Sequence, residues 1–366
     1  MNIKSQQLLH IFSVALAVCF SNTNLEAAKT VARNKIMEIT FSHTVARALH
    51  VTAELKIADH LENGPKTIQE LAALTKTNEK ALYRMLRVMV THGIFDYTTD
   101  KKFKLNETSQ LLKSSHPKSM RKAVAKELEI RRWNSVGHLL DSVNSGKPAF
   151  EEIYKQTFYE FLEEDKDAKT RFDEGMSCYS TCEDKEVARA FDFSKYKIIV
   201  DVGGNQGSLS AEILKKHPGV QVILFDLPNT IKDPKYLNND PSLKNRYKLV
   251  SGSFFENIPE GGDLYILKRV IHNWNDEDAM KILKNCASQL KKDGRVLIVD
   301  MVEEPLTQAT RPSPFIDADL NNLTLGKGIE RTKENFEEIL KQSGLKLIAI
   351  HSLGVRIKII EAALLS

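Results

Sequence analysis

The 366 residues carry 52 basic and 48 acidic side chains, a formal net charge of +4, with 42% hydrophobic and 27% charged content. That balance is ordinary for a folded globular chain and too even to mark a nucleic-acid-binding protein by charge. The length accommodates two domains. The four cysteines (Cys19, Cys178, Cys182, Cys286) form no C-x-x-C and have no histidines at zinc-site spacing, so idle thiols are expected and a metal is not.

Leu8 to Phe20 is an apolar run after Lys4, too short to span a bilayer comfortably but of signal-peptide length. The residues after it lack a clean A-x-A. Residues 1–30 are therefore read either as signal-like or as an extra N-terminal helix that packs on a partner subunit. From Asn34 to Leu61 apolar residues recur at helical spacing, and Gly64-Pro65 ends the pattern. Thr67 and Glu70 have capping-box spacing and open a short helix. Asn78 to Thr91 reads as a third helix, closed by Gly93. Ile94 to Tyr97 and Phe103 to Leu105, across a polar turn, read as a hairpin. Three helices and a hairpin are the winged-helix order. The helix at 78–91 offers only Lys80, Arg84 and Arg87, with His92 behind, so a packing or dimerisation module is expected rather than a DNA reader.

Residues 117–132 are basic but mixed with Glu127 and Glu129, and read as a solvated helix face. Ala149 to Glu186 reads as helix with an aromatic stripe of Phe150, Tyr154, Phe158, Phe161 and Phe172, either core or the lining of a substrate pocket.

From Ile198 strands alternate with helices. Strands are expected at 198–202, 220–225, 247–252, 264–268 and 295–300, with helices between, and a closing hairpin at 345–352 and 355–364. Such alternation predicts a parallel sheet covered on both faces, with ligands at the carboxyl ends of the strands. Asp201, Asp226, Ser253 and Lys268 stand at such ends.

Ile198 to Gly207 runs from a buried-type strand into Gly203, Gly204 and Gly207, then a helix from Ser208. A glycine turn there lets a ligand approach bare backbone. Asn205 sits where the second glycine of a dinucleotide G-x-G-x-x-G would fall, so a nicotinamide site is disfavoured. The spacing fits the D-x-G-x-x-x-G form of S-adenosylmethionine (SAM) enzymes. Asp226, about twenty residues on, can accept the ribose hydroxyls of an adenosyl cofactor. His272 follows the strand at 264–268 and has the ordinary pKa of a proton acceptor near neutrality. Asp300 and Glu330 are the carboxylates available to orient it and to stabilise its protonated form.

The segments Asp201–Gly207, Phe225–Pro228, Gly252–Phe255, Lys268–Asp278, Leu297–Asp300, Asp319–Asn321 and Glu330–Thr332 resemble the caffeate- and acetylserotonin-type O-methyltransferase family, in a bacterial-like form. Ile57–Leu61 and Leu82–Arg87 resemble that family's dimerisation domain. The resemblance runs from about Lys35 to the end. It implies an α/β fold: a Rossmann-like class I methyltransferase domain (146–366) preceded by an α-helical winged-helix dimerisation domain (31–145). It implies that Asp201, Gly203, Gly204 and Gly207 cradle SAM, that Asp226 and Leu227 hold its ribose end, and that Ser253, Phe254, Lys268 and Trp274 complete the cofactor wall. His272 would be the general base, with Asp300 and Glu330 beside it. No metal is implied. The partners implied are a small hydroxylated, aromatic substrate and a second copy of the chain, with no nucleic acid and no membrane. A SAM enzyme needs a cytosolic cofactor, hence a cytoplasmic location, with export the alternative if residues 1–28 are a signal peptide.

This chain departs from the family pattern at Asn205-Gln206 in place of Gly-Thr, at Ser253 and Asn273 in place of Asp, at Asp300 in place of Glu, and at Asn322 in place of Met. The competing readings are N- or C-methylation on the same fold and a winged-helix regulator that senses SAM. A base with two acids argues for removal of a hydroxyl proton.

Overall fold

The computed structural model describes residues 30–307, 314–355 and 357–365. The apolar run Leu8–Phe20 lies outside them. Contacts divide the chain after Val124, and the expected join at 145/146 falls between two short helices.

The first unit opens with helix α1, residues 30–54, followed by α2 (Ile57–His60), α3 (Ile68–Thr75) and α4 (Glu79–Thr91). The helix expected through Leu61 breaks at Lys56, whose φ of +52° is left-handed. The break turns Ile57 and Ala58 into the core. Thr67 and Glu70 form the expected capping box on α3. Leu82, Leu86 and Met89 lie one helical turn apart on α4 and are buried. Strands β1 (Asp96–Tyr97) and β2 (Phe103–Lys104) make the wing. Phe95 and Phe103 seal a core with Ile57, Leu61, Leu71 and Leu86. A short helix α5 (Glu107–Gln110) follows, and α6 (Arg121–Glu127) crosses into the second unit.

The second unit begins with α7 (Ile130–Gly137), α8 (Leu139–Ser145), α9 (Ala149–Tyr154) and α10 (Phe158–Glu164), then the 25-residue α11 (Lys166–Ala190). The single helix expected over 149–186 is thus three helices. Local chemistry cuts it: Lys155 is left-handed, Thr157 and Glu160 form a capping box, and Asp165 caps α11. Phe150, Phe158 and Phe161 are buried together with Phe172 against them, so the stripe is core.

The alternating part contains β3 (Ile198–Val202), α12 (Ser208–Lys216), β4 (Gln221–Asp226), α13 (Pro228–Ile231), α14 (Lys235–Asn238), β5 (Tyr247–Ser251), β6 (Leu264–Lys268), α15 (Asp276–Gln289), β7 (Arg295–Asp300) and β8 (Val302–Glu303). It closes with α16 (Pro314–Leu325), β9 (Arg331–Thr332), α17 (Lys333–Gln342), β10 (Leu345–Ser352) and β11 (Lys358–Leu364). Seven strands form one sheet in the order β10-β11-β7-β6-β3-β4-β5. Strands β3 to β7 are mutually parallel, and the β10–β11 hairpin adds antiparallel to β7. The central strands β3, β6 and β7 are apolar and buried on both faces, as a sheet covered by two helical layers requires. The edge strand β5 carries Lys248 and is largely exposed. Chain order reverses between β3 and β6, which opens a crevice at their carboxyl ends.

Candidate active site

The ends of β3, β4, β5, β6 and β7 supply the residues around that crevice. After β3 the chain reverses in a short loop in which Gly203 and Gly207 are left-handed, with φ of +71° and +75°. A side chain at Gly203 would also meet Val270 Cγ2 at 2.9 Å. Asn205 holds φ +50°, a conformation that asparagine tolerates better than most residues. Its N–H donates to Asp226 Oδ2 at 2.9 Å, and Leu227 N–H donates to Asp226 Oδ1 at 2.7 Å. The loop after β3 and the turn after β4 are therefore tied through one carboxylate. Burial pushes the Asp226 pKa up, against the pull of those two N–H groups. Gln206 binds the Thr230 carbonyl (2.6 Å) and accepts from Lys235 N–H (3.3 Å), which anchors the loop to α13 and α14. The departure Asn205-Gln206 thus has its own local structural logic.

Asp201 lies beneath the loop. It is buried, packs under Gly204, and accepts a 2.5 Å hydrogen bond from Ser210 of α12. Burial lifts its pKa to about 6, with the Ser210 hydrogen bond opposing. Leu227 is exposed at the rim. Beyond β5, Ser253 Oγ accepts from Phe255 N–H at 3.3 Å, and the Phe254 ring lies beside Gly203. Trp274 stands edge-on to Phe254 and stacks on Tyr159 of α10, with ring centroids 6.0 Å apart in both pairs. Gly203, Phe254 and Trp274 form one continuous wall.

Lys268 ends β6, but its ammonium turns to α11. It pairs with Asp184 at 2.6 Å, donates to Ser180 at 3.2 Å and lies 3.5 Å from Glu183. Arg269, left-handed at φ +55°, forks onto Glu183 at 3.0 and 2.6 Å. Burial raises the Glu183 pKa, yet the Arg269 and Lys268 contacts outweigh it and the net is lowered. Sequence reasoning passed over Glu183, Asp184 and Arg269. The available signal was a pair of adjacent acids inside an aromatic-rich helix, but their partners lie more than eighty residues away in the chain.

His272 is buried in a 3₁₀ turn after β6. Its Nδ1–H donates to Glu330 Oε1 at 2.8 Å, which leaves Nε2 as the acceptor nitrogen. Asp300 Oδ1 is 3.9 Å from Nε2, beyond hydrogen-bond range, and Asp300 Oδ2 accepts instead from the His272 backbone N–H at 3.3 Å. The shorter Asp300 side chain thus acts on the ring through charge and holds its backbone. Burial lowers the His272 pKa, but Asp300, Glu330 and the Glu330 hydrogen bond overcome it, and the net shift is upward. Burial also raises Asp300, to about 6, with the His272 charge opposing.

Two further contacts fix this geometry. Asp319 Oδ1 accepts from Glu330 N–H at 2.9 Å. Arg331, fully buried, donates to the Ile271 carbonyl (3.1 Å), the Trp274 carbonyl (2.8 Å) and Asp276 Oδ1 (3.0 and 2.8 Å). Asp319 and Arg331 were visible in sequence only as parts of family motifs.

The residues fit a bound SAM. Asp226 presents a carboxylate at the crevice, Asn205 Oδ1 is buried with no hydrogen-bond partner among the described residues, and an apolar wall of Phe254 and Trp274 stands beside the glycine turn. Among the described residues no cluster of His, Cys, Asp or Glu could hold a metal ion.

The chain matches the model of the O-methyltransferase domain over residues 136–346 and that of the O-methyltransferase dimerisation domain over 37–115. It is 32% identical to a mitomycin biosynthesis 6-O-methyltransferase of Streptomyces lavendulae, over 88% of this chain and 91% of that one. It is 31% identical to a phenazine O-methyltransferase of Lysobacter antibioticus, over 89% and 95%. The solved structure of a mitomycin 7-O-methyltransferase superposes with a TM-score of 0.85 at 32% identity, covering 93% of this chain and 99% of that one. With a dimerisation domain ahead of a Rossmann-like methyltransferase domain, this chain belongs to the plant-type family of SAM-dependent O-methyltransferases.

Proposed function

We propose that this enzyme methylates a hydroxyl group on a small aromatic molecule, with His272 as the general base. The observation that carries this reading is the 2.8 Å hydrogen bond from His272 Nδ1–H to Glu330, which fixes the tautomer and leaves Nε2 to accept a proton. SAM supplies an electrophilic methyl group when bound. Asp226, Asn205, the glycine turn, Leu227, Ser253, Phe254 and Trp274 would hold it, and Lys268 would support that wall through its pairing with α11. His272 takes the acceptor's hydroxyl proton onto Nε2. The charges of Asp300 and Glu330 stabilise the imidazolium so formed. Asp201 would keep the loop in shape from beneath. Positioning in a water-poor crevice supplies most of the remaining rate. Two relatives are named for aromatic acceptors, 3-amino-4-hydroxybenzoate and 2,7-dihydroxy-5-methyl-1-naphthoate, which supports an aromatic acceptor here.

His272→Ala should leave SAM binding by calorimetry intact and lower turnover by roughly 10²-fold or more, the scale of general-base catalysis. Unchanged turnover would remove His272 from the mechanism. Asp226→Ala should weaken SAM binding by roughly tenfold or more, as expected for a lost charge-assisted hydrogen bond; an unaltered dissociation constant would overturn its assignment.

A further inference from the structure

Residues 117–132 read in sequence as a solvated helix face, yet Lys126 is buried. Its ammonium lies 3.3 Å from Met176 Sδ, 5.2 Å from the centre of the Phe172 ring and 5.4 Å from that of Tyr179. These three residues, with Glu183, recur at helical spacing and share one stripe of α11. The neighbouring stripe, Ser180 and Asp184, holds Lys268 at the end of β6. Arg269, three residues before His272, lies 5.8 Å from the same Tyr179 ring that Lys126 approaches. Arg269 is in electrostatic reach of both Lys126 and His272. The Tyr179 ring therefore links the Lys126 stripe to the residue three positions before His272.

Lys126 and Arg132 meet on a single carboxylate. Lys126 Nζ is 2.7 Å from Glu127 Oε1, Arg132 Nη2 is 2.7 Å from Glu127 Oε2, and Tyr179 OH also donates to Glu127. Two buried cations share one carboxylate, whereas Arg269 and Lys268 have Glu183 and Asp184. A buried excess charge is costly unless a counter-charge arrives. Burial brings the Lys126 pKa down to about 8 against the pull of Glu127, while Glu127 itself is held near 2 despite burial by Lys126 and Arg132. Glu127 serves three donors, whereas Lys126 has one carboxylate and one thioether within reach.

The backbone is shaped for this lysine. A Cβ placed on Gly175, in the middle of α11, would lie 2.5 Å from Lys126 Cβ. Glycine inside a helix is unfavourable relative to alanine, and here the missing side chain makes room for the lysine stem.

We propose that the methyl acceptor carries a carboxylate and that Lys126 is its specificity-determining partner, seated on Gly175 between Phe172, Met176 and Tyr179. This rests on the acceptor being a small hydroxylated aromatic molecule. The ring would lie along the α11 stripe, with its hydroxyl at His272 and its acid at Lys126.

The test pairs hydroxylated benzoic and naphthoic acids with their primary carboxamides, and measures transfer of labelled methyl from SAM by the full-length enzyme. The acids should be preferred in kcat/KM. Lys126→Met should narrow that preference about tenfold or more, the worth of one hydrogen bond to a charged group, with the loss in KM. Lys126→Arg should retain much of it, and Gly175→Ala, which displaces the stem, should act in the same direction as Lys126→Met. Binding of S-adenosylhomocysteine by calorimetry reports whether each variant is folded. A wild-type enzyme that uses amides as well as acids overturns the proposal, as does a Lys126→Met variant that loses both members of each pair equally. Methylation of neutral phenols alone would leave the aromatic O-methyltransferase reading standing and remove this one. Methylation of no hydroxylated aromatic compound would remove both.

Discussion

His272 sits under three opposed influences: burial, which disfavours its cation, and the charges of Asp300 and Glu330, which favour it more. The net upward shift means that the free enzyme holds the imidazole protonated to a higher pH than an ordinary histidine of pKa 6.5. The base works only when neutral. The acidic limb of the kcat/KM profile is therefore expected above that ordinary value, with activity rising as pH rises through it. Glu330→Gln removes a charge and weakens the Nδ1 hydrogen bond, so the limb should move to lower pH while the maximum rate falls; a limb that stays in place would show that another group titrates. Asp201 is held by a similar opposition of burial and a hydrogen bond. Its carboxylate depends on Ser210 for the 2.5 Å hydrogen bond. Ser210→Ala should cost about 1–3 kcal/mol, the penalty of an unsatisfied buried acceptor, read as a lowered urea midpoint.

The segment Ile271–Asp276 owes its shape to a distant side chain. Residues 271–273 form one 3₁₀ turn, too short to persist by its own hydrogen bonds. Arg331 supplies the missing constraint by binding two carbonyls and Asp276 from a single guanidinium. Arg331→Met should lower stability by about 3 kcal/mol, since hydrogen bonds to a charged group are lost and carbonyls are left buried. The same variant should alter the fluorescence of Trp274 and reduce turnover, because His272 lies between the two clamped carbonyls. Helix α11 is the other organising element. The sequence placed its first residues within one longer helix over 149–186, but did not say which strand end would receive it. That depended on the ion pairs Lys268–Asp184 and Arg269–Glu183, which join residues with no local relation in the chain.

Across the molecule, the fold class was legible because each level of the sequence agreed with the next. Apolar runs at 198–202, 264–268 and 295–300 read as buried strands, and they became the centre of the sheet. Boundaries were less legible where a cap or a left-handed residue cut a helix, as at Lys56 and Lys155. In the first unit, Ile36, Met37, Ile39 and Phe41 on α1 are exposed. Such a run of apolar side chains suits an interface, and the matched family model is a dimerisation domain. Sedimentation equilibrium should return about twice the chain's 41.4 kDa. A monomer at micromolar concentration would contradict that expectation. Among the described residues no helix is long and apolar enough to cross a membrane.

By itself, the sequence determined the strand–helix alternation, the glycine turn with Asp226 downstream, and the choice of His272 with two acids. The first two follow from local periodicity and spacing, and the third from the resemblance of the segments that carry His272, Asp300 and Glu330 to the family. Only the tertiary structure decided that Glu330 and not Asp300 bonds the imidazole, that Lys268 turns to Asp184, and that Lys126 is buried with Arg132 on one carboxylate. The reason is that electrostatic partners are chosen by distance and dielectric in the folded state. A carboxylate one methylene shorter reaches a backbone N–H instead of a ring nitrogen. A lysine in a basic run becomes a buried cation when a glycine on the facing helix gives its stem somewhere to lie.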